Sequence, residues 1–99
     1  MNQPASSAAS SIGCRMMLFV ADDEQNSRRA RENVQRACGD KLGKEYELEV
    51  VDVFDQFQTA LDHDIMVTPT LVVLEPTPRV TLLGDLSDTA KLRTVLRLT

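Results

Sequence analysis

The stretch Val67-Thr68-Pro69-Thr70-Leu71-Val72-Val73-Leu74 limits the folds open to this chain more than any other. The Val- and Leu-rich run after the Thr-Pro-Thr corner has the length and composition of a buried strand. Pro69 stands at its start, where a missing N–H interrupts no central ladder bond, and it holds Thr68 extended. A tight corner of this kind is also one of the few places that accommodate a cis X-Pro bond. The other segments are best read as elements wrapped around this strand.

Met16-Met17-Leu18-Phe19-Val20-Ala21 is a continuous apolar run of strand length. A strand apolar on both sides belongs in the middle of a sheet covered by helices. Residues 25–38 follow with Ala30, Val34, Ala37 and Cys38 at helical spacing. Asp23, Asn26 and Ser27 are the candidates for its N-cap, and Gly39 supplies the stop. Tyr46, Leu48 and Val50 then alternate with Glu47 and Glu49, which suggests an edge strand with one face partly wet. Strand, helix, strand over this length makes a βαβ unit with two parallel strands. A short helix is expected over 54–64, with Phe54, Phe57, Ala60 and Leu61 at helical spacing and Asp55, Asp62 and Asp64 on its outer side. After the 70–74 strand, Glu75-Pro76-Thr77-Pro78 is a turn by composition. Val80–Leu83 closes a hairpin, and Gly84 ends it. Asp85 to Asp88 reads as the start of a last helix, with Ser87 or Asp85 as cap, Leu92, Val95 and Leu96 on its inner face, and Arg93 and Arg97 near its C-terminus.

Residues 1–14 are rich in Ser and Ala without periodicity and are expected to be a flexible tail, which makes 15–99 one domain. Apolar residues make up 42% of the chain, enough for a packed core, and with three Phe, one Tyr and no Trp that core is aliphatic. A net charge of −4 argues against a nucleic-acid binder. No apolar run approaches the length of a membrane span. The N-terminal residues lack the basic start and apolar centre of a secretory signal, so a cytoplasmic protein is expected. In that compartment Cys14 and Cys38 are expected to be reduced. A bridge between them is the alternative, and their spacing matches no metal or redox motif.

Little in the chain points to catalysis. An oxidoreductase of this architecture needs two thiols at the start of the first helix, where the helix N-terminus lowers the pKa of the attacking cysteine. Here that place holds Asp22-Asp23-Glu24-Gln25-Asn26-Ser27. His63, between Asp62 and Asp64, is read as a solvated residue rather than a metal ligand or general base, because no second His or Cys stands near it. The four glycines are isolated, so no phosphate loop exists and no cofactor is expected. The Arg28-Arg29-x-Arg31 cluster reads either as a contact patch for an acidic partner or as a solvated helix face. A binding module, not an enzyme, is the expectation.

The element order β-α-β-α-β-β-α is the thioredoxin-like arrangement: α/β, a mixed four-stranded sheet with helices on both faces. Five blocks carry a more specific resemblance. Leu18-Phe19-Val20-Ala21, Asn26-Ser27, Val50-Val51-Asp52-Val53, Val67-Thr68-Pro69-Thr70-Leu71 and Gly84-Asp85-Leu86-Ser87 resemble the KaiB family of circadian-clock proteins over roughly residues 15–99. The resemblance implies a non-catalytic partner of KaiC, a RecA-like ATPase ring. It also implies two folds, a tetramer-forming one and a thioredoxin-like monomer that binds the ring. A homo-oligomer, dimer or tetramer, stays open. The family's Gly-x-Asp portion of the last helix is replaced by Val95 and Arg97. Gly costs a helix about 1 kcal/mol relative to Ala, and Asp is unfavourable near a helix C-terminus. The chain is therefore expected to rest in the thioredoxin-like form.

Arg29 matches the family's helix-start arginine, and with Arg28, Glu32, Tyr46 and Asp52 it makes the expected partner-binding set. Thr68, Pro69, Gly84, Asp85, Val95 and Arg97 make the expected structural set. Family lysines and arginines are replaced by Glu49 and Asp64, the arginines after the proline turn are reduced to Arg79, and the acidic C-terminal tail is missing. These departures put binding to KaiA, a further clock protein, in doubt. A thioredoxin-like adaptor or sensor domain in stress or two-component signalling, without oxidoreductase activity, is the alternative reading.

Overall fold

The computed structural model describes residues 13–98. Apart from Gly13 and Cys14, the expected tail lies outside the described residues. The central strand β1 (Cys14–Val20) starts two residues before the apolar run does, so Cys14 leaves the tail and enters the sheet. The backbone N–H groups of Gly13 and Cys14 both donate to the Glu45 carbonyl, at 2.7 and 3.0 Å, which fixes this start.

Strand β2 (Tyr46–Asp52) runs parallel to β1, in register from Cys14 opposite Tyr46 to Val20 opposite Asp52. Strand β3 (Thr70–Glu75) lies antiparallel on the other side of β1, and β4 (Val80–Leu83) pairs antiparallel with β3. The order is β2-β1-β3-β4. The alternating strand is thus at the edge and the two apolar runs are inside, as their patterns require.

Side-chain alternation along β1 divides the core in two. Cys14, Met16, Leu18 and Val20 face helix α1 (Gln25–Cys38) and helix α3 (Thr89–Val95), and pack with Ala30, Val34, Leu71, Val73, Leu82 and Leu92. Met17 and Phe19 face the other way, toward helix α2 (Phe57–Asp62), and pack with Val51, Ala60 and Val72. A short 3-10 turn, Gly39–Lys41, follows α1. Gly39 adopts φ 58°, and its N–H donates to the Gln35 carbonyl, so the expected stop is where the helix ends.

The Thr68–Pro69 bond is cis, as are Glu75–Pro76 and Thr77–Pro78. Gly84 has φ 96° and donates its N–H to the Pro69 carbonyl at 2.9 Å, so the turn after β4 closes on the corner before β3. Thr70 Oγ1 donates to the Val67 carbonyl at 2.7 Å across the same corner.

Helix α3 is shorter than its sequence pattern. Its N-cap is Asp88, whose side chain accepts from the Lys91 N–H, and not Asp85 or Ser87. The Asp85 carboxylate instead accepts from the Ser87 N–H and shapes the preceding turn. Arg97 lies beyond the helix with φ 59°. The N–H of Leu98 donates to the Arg93 carbonyl and that of Arg97 to the Thr94 carbonyl, the paired bonds of a Schellman stop. Arg97 is therefore not a helix-favouring replacement: it occupies the left-handed position where Gly would be at ease. Val95 does pack against the larger core, as expected. The 80–98 stretch, one short strand and one helix, has the thioredoxin-like form.

Candidate functional site

The turn at the start of α1 is where this architecture would place catalytic groups. It is closed by the chain itself. Glu24 is the N-cap, in place of Asp23, Asn26 or Ser27, and its carboxylate accepts from the Ser27 N–H at 3.0 Å. Ser27 is fully buried. Its hydroxyl accepts from the Ala21 N–H at 3.1 Å and donates to Glu24, tying the end of β1 to the first turn of α1. Bonds from the backbone N–H groups of Asn26 and then Ser27 hold the Glu24 carboxyl below its usual range. The positive end of the helix thus faces a resident carboxylate.

Both cysteines are free and buried far from this turn. Burial, reinforced by nearby Cys38, pushes the Cys14 thiol up to about 11. Burial raises Cys38 as well. At neutral pH both are protonated and weakly nucleophilic.

Four of the five expected contact residues are accessible. Arg28, Arg29 and Glu32 are exposed on α1, and Asp52 is half-buried at the end of β2. Arg28 pairs with Asp23 at 3.7 Å, and Arg29 reaches Asp85 at 4.0 Å. Asn33 Nδ2 donates to the Asp85 carbonyl at 2.8 Å, so two α1 side chains grip the 84–88 turn. Hydrogen bonds from Ser87 hold the Asp85 carboxyl low, and Arg29 adds to the shift. Arg29 and Asp85, expected in separate roles, belong to one clasp. Arg31 is half-buried, and its Nε has no hydrogen-bond partner. Asp52 works locally: its carboxylate accepts from the Phe54 N–H at 2.9 Å, and its carbonyl accepts from Asp55 and Gln56.

Tyr46 does not belong to a contact surface. It is buried at the opposite end of β2, and its hydroxyl donates to the Leu96 carbonyl at 2.6 Å. It closes one orphan carbonyl at the end of α3, a structural task. Strand alternation pointed its ring at a face, but its partner lies 50 residues away and left no local signal.

The segment after β2 departs furthest from its pattern. Helix α2 has six residues instead of the eleven expected, and Ala60 is its buried residue. Phe54, Phe57 and Leu61 are 73%, 64% and 50% exposed, and Met66 and Val67 are 90% and 51% exposed. Together with Val53, Ala60, Ile65 and Thr68 they line a groove of about 420 Å³. The sequence clue was the apolar pair Met66-Val67, which belongs to no helix or strand. His63 is not simply solvated: its Nδ1 lies 3.0 Å from the Thr59 carbonyl, and its ring packs 5.5 Å from that of Phe19. Among the described residues, no three His, Cys, Asp or Glu side chains are grouped as metal ligands would be, and no helix is long and apolar enough to cross a membrane.

Comparison with known proteins gives this scaffold a context. The family model described as the KaiB domain matches residues 17–98. The circadian clock protein KaiB3 of Synechocystis sp. is 38% identical over 76 residues, covering 77% of this chain and 74% of that protein. Among solved structures, the N-terminal domain of Synechococcus elongatus SasA is similar with a TM-score of 0.69 and 28% identity, over 89% of this chain and 87% of the other. The germline-specific thioredoxin Deadhead of Drosophila melanogaster superposes with a TM-score of 0.71 at 18% identity, over 95% and 87% of the two chains. That last likeness is one of fold alone.

Proposed function

The chain belongs to the KaiB family, and from that premise we propose that it is a non-catalytic interaction protein that docks on a KaiC-type ATPase and modulates clock or clock-like signalling. The observation that carries this reading is the thioredoxin-like form of the second half, β3-β4-α3 in place of further strands. That is the form in which the family resemblance implies ring binding. The α1 start supports a non-catalytic role, because its N-terminal N–H groups are turned to Glu24 and not to a reactive group.

The docking face proposed here is the exposed side of α1 with Arg28, Arg29 and Glu32, continued by the half-buried Asp52. Arg29 is its centre, an exposed cation positioned beside Asp85 and free to meet an acidic surface. KaiA is left out of the proposal, since Glu49 and Asp64 stand where the family carries basic residues. The test is biolayer interferometry against a purified KaiC-type ATPase ring from the same cell. Arg29→Glu should weaken binding at least about tenfold with the folded circular dichroism spectrum retained, the lost surface pair with Asp85 lowering the melting curve only slightly. Unchanged affinity refutes the role of Arg29, and no binding by the wild-type chain refutes the reading. The likeness to the SasA N-terminal domain favours a second reading, a sensor-like adaptor. Binding to a signalling kinase and not to the ATPase would select it.

A further inference from the structure

The sheet ends in two open strands, β2 and β4, and they are guarded differently. Glu47 and Glu49 stand exposed or half-exposed along β2, and charge of that kind keeps an edge from pairing with another chain. Strand β4 reads Val80-Thr81-Leu82-Leu83, without charge or proline and in unbroken register with β3. The bond from the Gly84 N–H to the Pro69 carbonyl shows which of its residues β3 uses. Bonded residues alternate along an antiparallel ladder, so Gly84, Leu82 and Val80 turn their backbone groups toward β3. Thr81 and Leu83 turn theirs outward. Neither residue takes part in the turn, loop or cap bonds of the described backbone.

The surface beside this edge is apolar, and its charges balance. Leu83 is 67% exposed. With Met66, Val67, Thr81, Asp64 and Arg79 it lines a hollow of about 410 Å³ on the α2 side of the sheet. Asp64 and Arg79 are both exposed, and neither is among the ion pairs of the described residues. One carboxylate and one guanidinium per chain form a pattern that complements itself across a two-fold axis.

We infer that β4 is an interface for a second copy of this chain, whose own β4 pairs with it antiparallel and joins the two sheets into one. The outward backbone groups fix the register. Thr81 and Leu83 are symmetrical about Leu82, so the axis passes beside Leu82, and Thr81 of each copy faces Leu83 of the other. The N–H and carbonyl of both residues then bond across the axis, and such main-chain bonds carry the affinity of an added strand. Leu82 points into the α1/α3 core, so Thr81 and Leu83 lie on the α2 side, where each Leu83 covers the threonine opposite. The same register carries Arg79 past Leu83 of the other copy. There Leu83 pairs with Thr70, and the loop of Asp64 to Val67 lines the same hollow. Arg79 of one copy thus meets Asp64 of the other, and Met66 and Val67 are covered. The Arg29 side of α1 and the end of β2 at Asp52 stay open, so this contact is independent of the docking face proposed above.

Sedimentation velocity on the full chain tests this. Between roughly 1 and 300 µM the 11.0 kDa monomer should convert to a species of twice that mass. Amide hydrogen exchange read by NMR places the contact. The N–H groups of Thr81 and Leu83 should exchange at least about threefold more slowly at the high concentration than at the low one, while those of Val80 and Leu82, held by β3, should be slow at both. Leu83→Lys sets a cation beside Arg79 of the other copy and should weaken the dimer at least about tenfold. Leu83 is mainly exposed, so the circular dichroism spectrum should stay folded. Arg79→Glu should weaken the dimer about threefold and flatten its dependence on salt. Glu49→Gln on the other edge and Arg29→Glu on α1 should leave association as it is. The inference is overturned if the chain stays monomeric over this range, if Thr81 and Leu83 exchange alike at both concentrations, or if Leu83→Lys or Arg79→Glu associates as the wild type does. A monomer whose Thr81 and Leu83 amides slow only when the ATPase ring is added overturns it too, by giving the edge to another protein.

Discussion

The two faces of the sheet are finished to different degrees. On the α1/α3 face, fourteen buried residues from all four strands, both helices and the 84–88 turn form one cluster. On the α2 face, five buried residues form the core, and the six-residue helix contributes Ala60 alone. The large side chains of α2 and its flanking loops stand exposed around the groove. A face covered by a fourteen-residue helix and a second helix leaves little of the sheet itself open, and what it presents is the polar outer side of α1. A face covered by less than two turns leaves Phe54, Phe57, Leu61 and Met66 exposed.

This division can be broken most directly by truncating one apolar residue on each side. Leu18, fully buried on the α1/α3 face, should cost about 2 to 5 kcal/mol as Leu18→Ala in urea unfolding. Phe57→Ser, a larger chemical change on the α2 face, should stay within about 0.5 kcal/mol. Equal losses would mean that the groove side chains are core after all.

The next effect in size concerns pH. Cys14 sits in the larger cluster with its thiol pushed up to about 11, against an ordinary value of 9.0. The folded chain holds this proton more tightly than the unfolded chain does. The associated stability is complete below about pH 9 and is lost as pH rises toward 11, on the order of 2 kcal/mol. A Cys14→Ala variant should show a flatter alkaline limb in denaturant titrations from pH 8 to 11.

Tyr46→Phe sharpens the comparison further, because it removes one hydroxyl from the crowded face and leaves the Leu96 carbonyl without its donor. A loss of about 1 to 2 kcal/mol in thermal or urea unfolding is expected, with ATPase binding unchanged. Weaker binding without loss of stability would return Tyr46 to a contact role. The smallest effect has the opposite sign. Arg97→Gly relieves the left-handed backbone at the end of α3 and should stabilise the fold by about 0.5 to 1 kcal/mol, read as a higher melting temperature.

The strands were legible because each pattern has one physical cause. The run from Met16 to Val20 is apolar on both sides because β1 is covered on both sides, and Glu47 and Glu49 alternate because β2 has an open face at the edge. Pro69 marked the start of β3 because a proline there removes no ladder bond. Helix ends were less legible. Several neighbouring side chains compete for the same N–H groups, and only the backbone decides that Glu24 and Asp88 win over Ser27 and Asp85. The groove escaped notice for another reason. Helical spacing at Phe57, Ala60 and Leu61 says that an apolar stripe exists, but not whether the sheet beneath is wide enough to cover it. Tyr46 and Arg97 were misread because their roles depend on a partner distant in sequence or on a single φ angle. Arg29 was legible in the sequence as an exposed cation, but its neighbour Asp85 was not, because the fold brings the two together.

The chain contains a single tyrosine and no tryptophan, so emission excited at wavelengths too long for its three phenylalanines has one source. That phenol donates its proton to a peptide oxygen at the end of α3. Whenever the last helix lifts away, the phenol exchanges that oxygen for water, and its emission intensity changes. The molecule therefore carries an unlabelled optical gauge of whether its C-terminal segment is seated, readable in a stopped-flow cell while a partner is added.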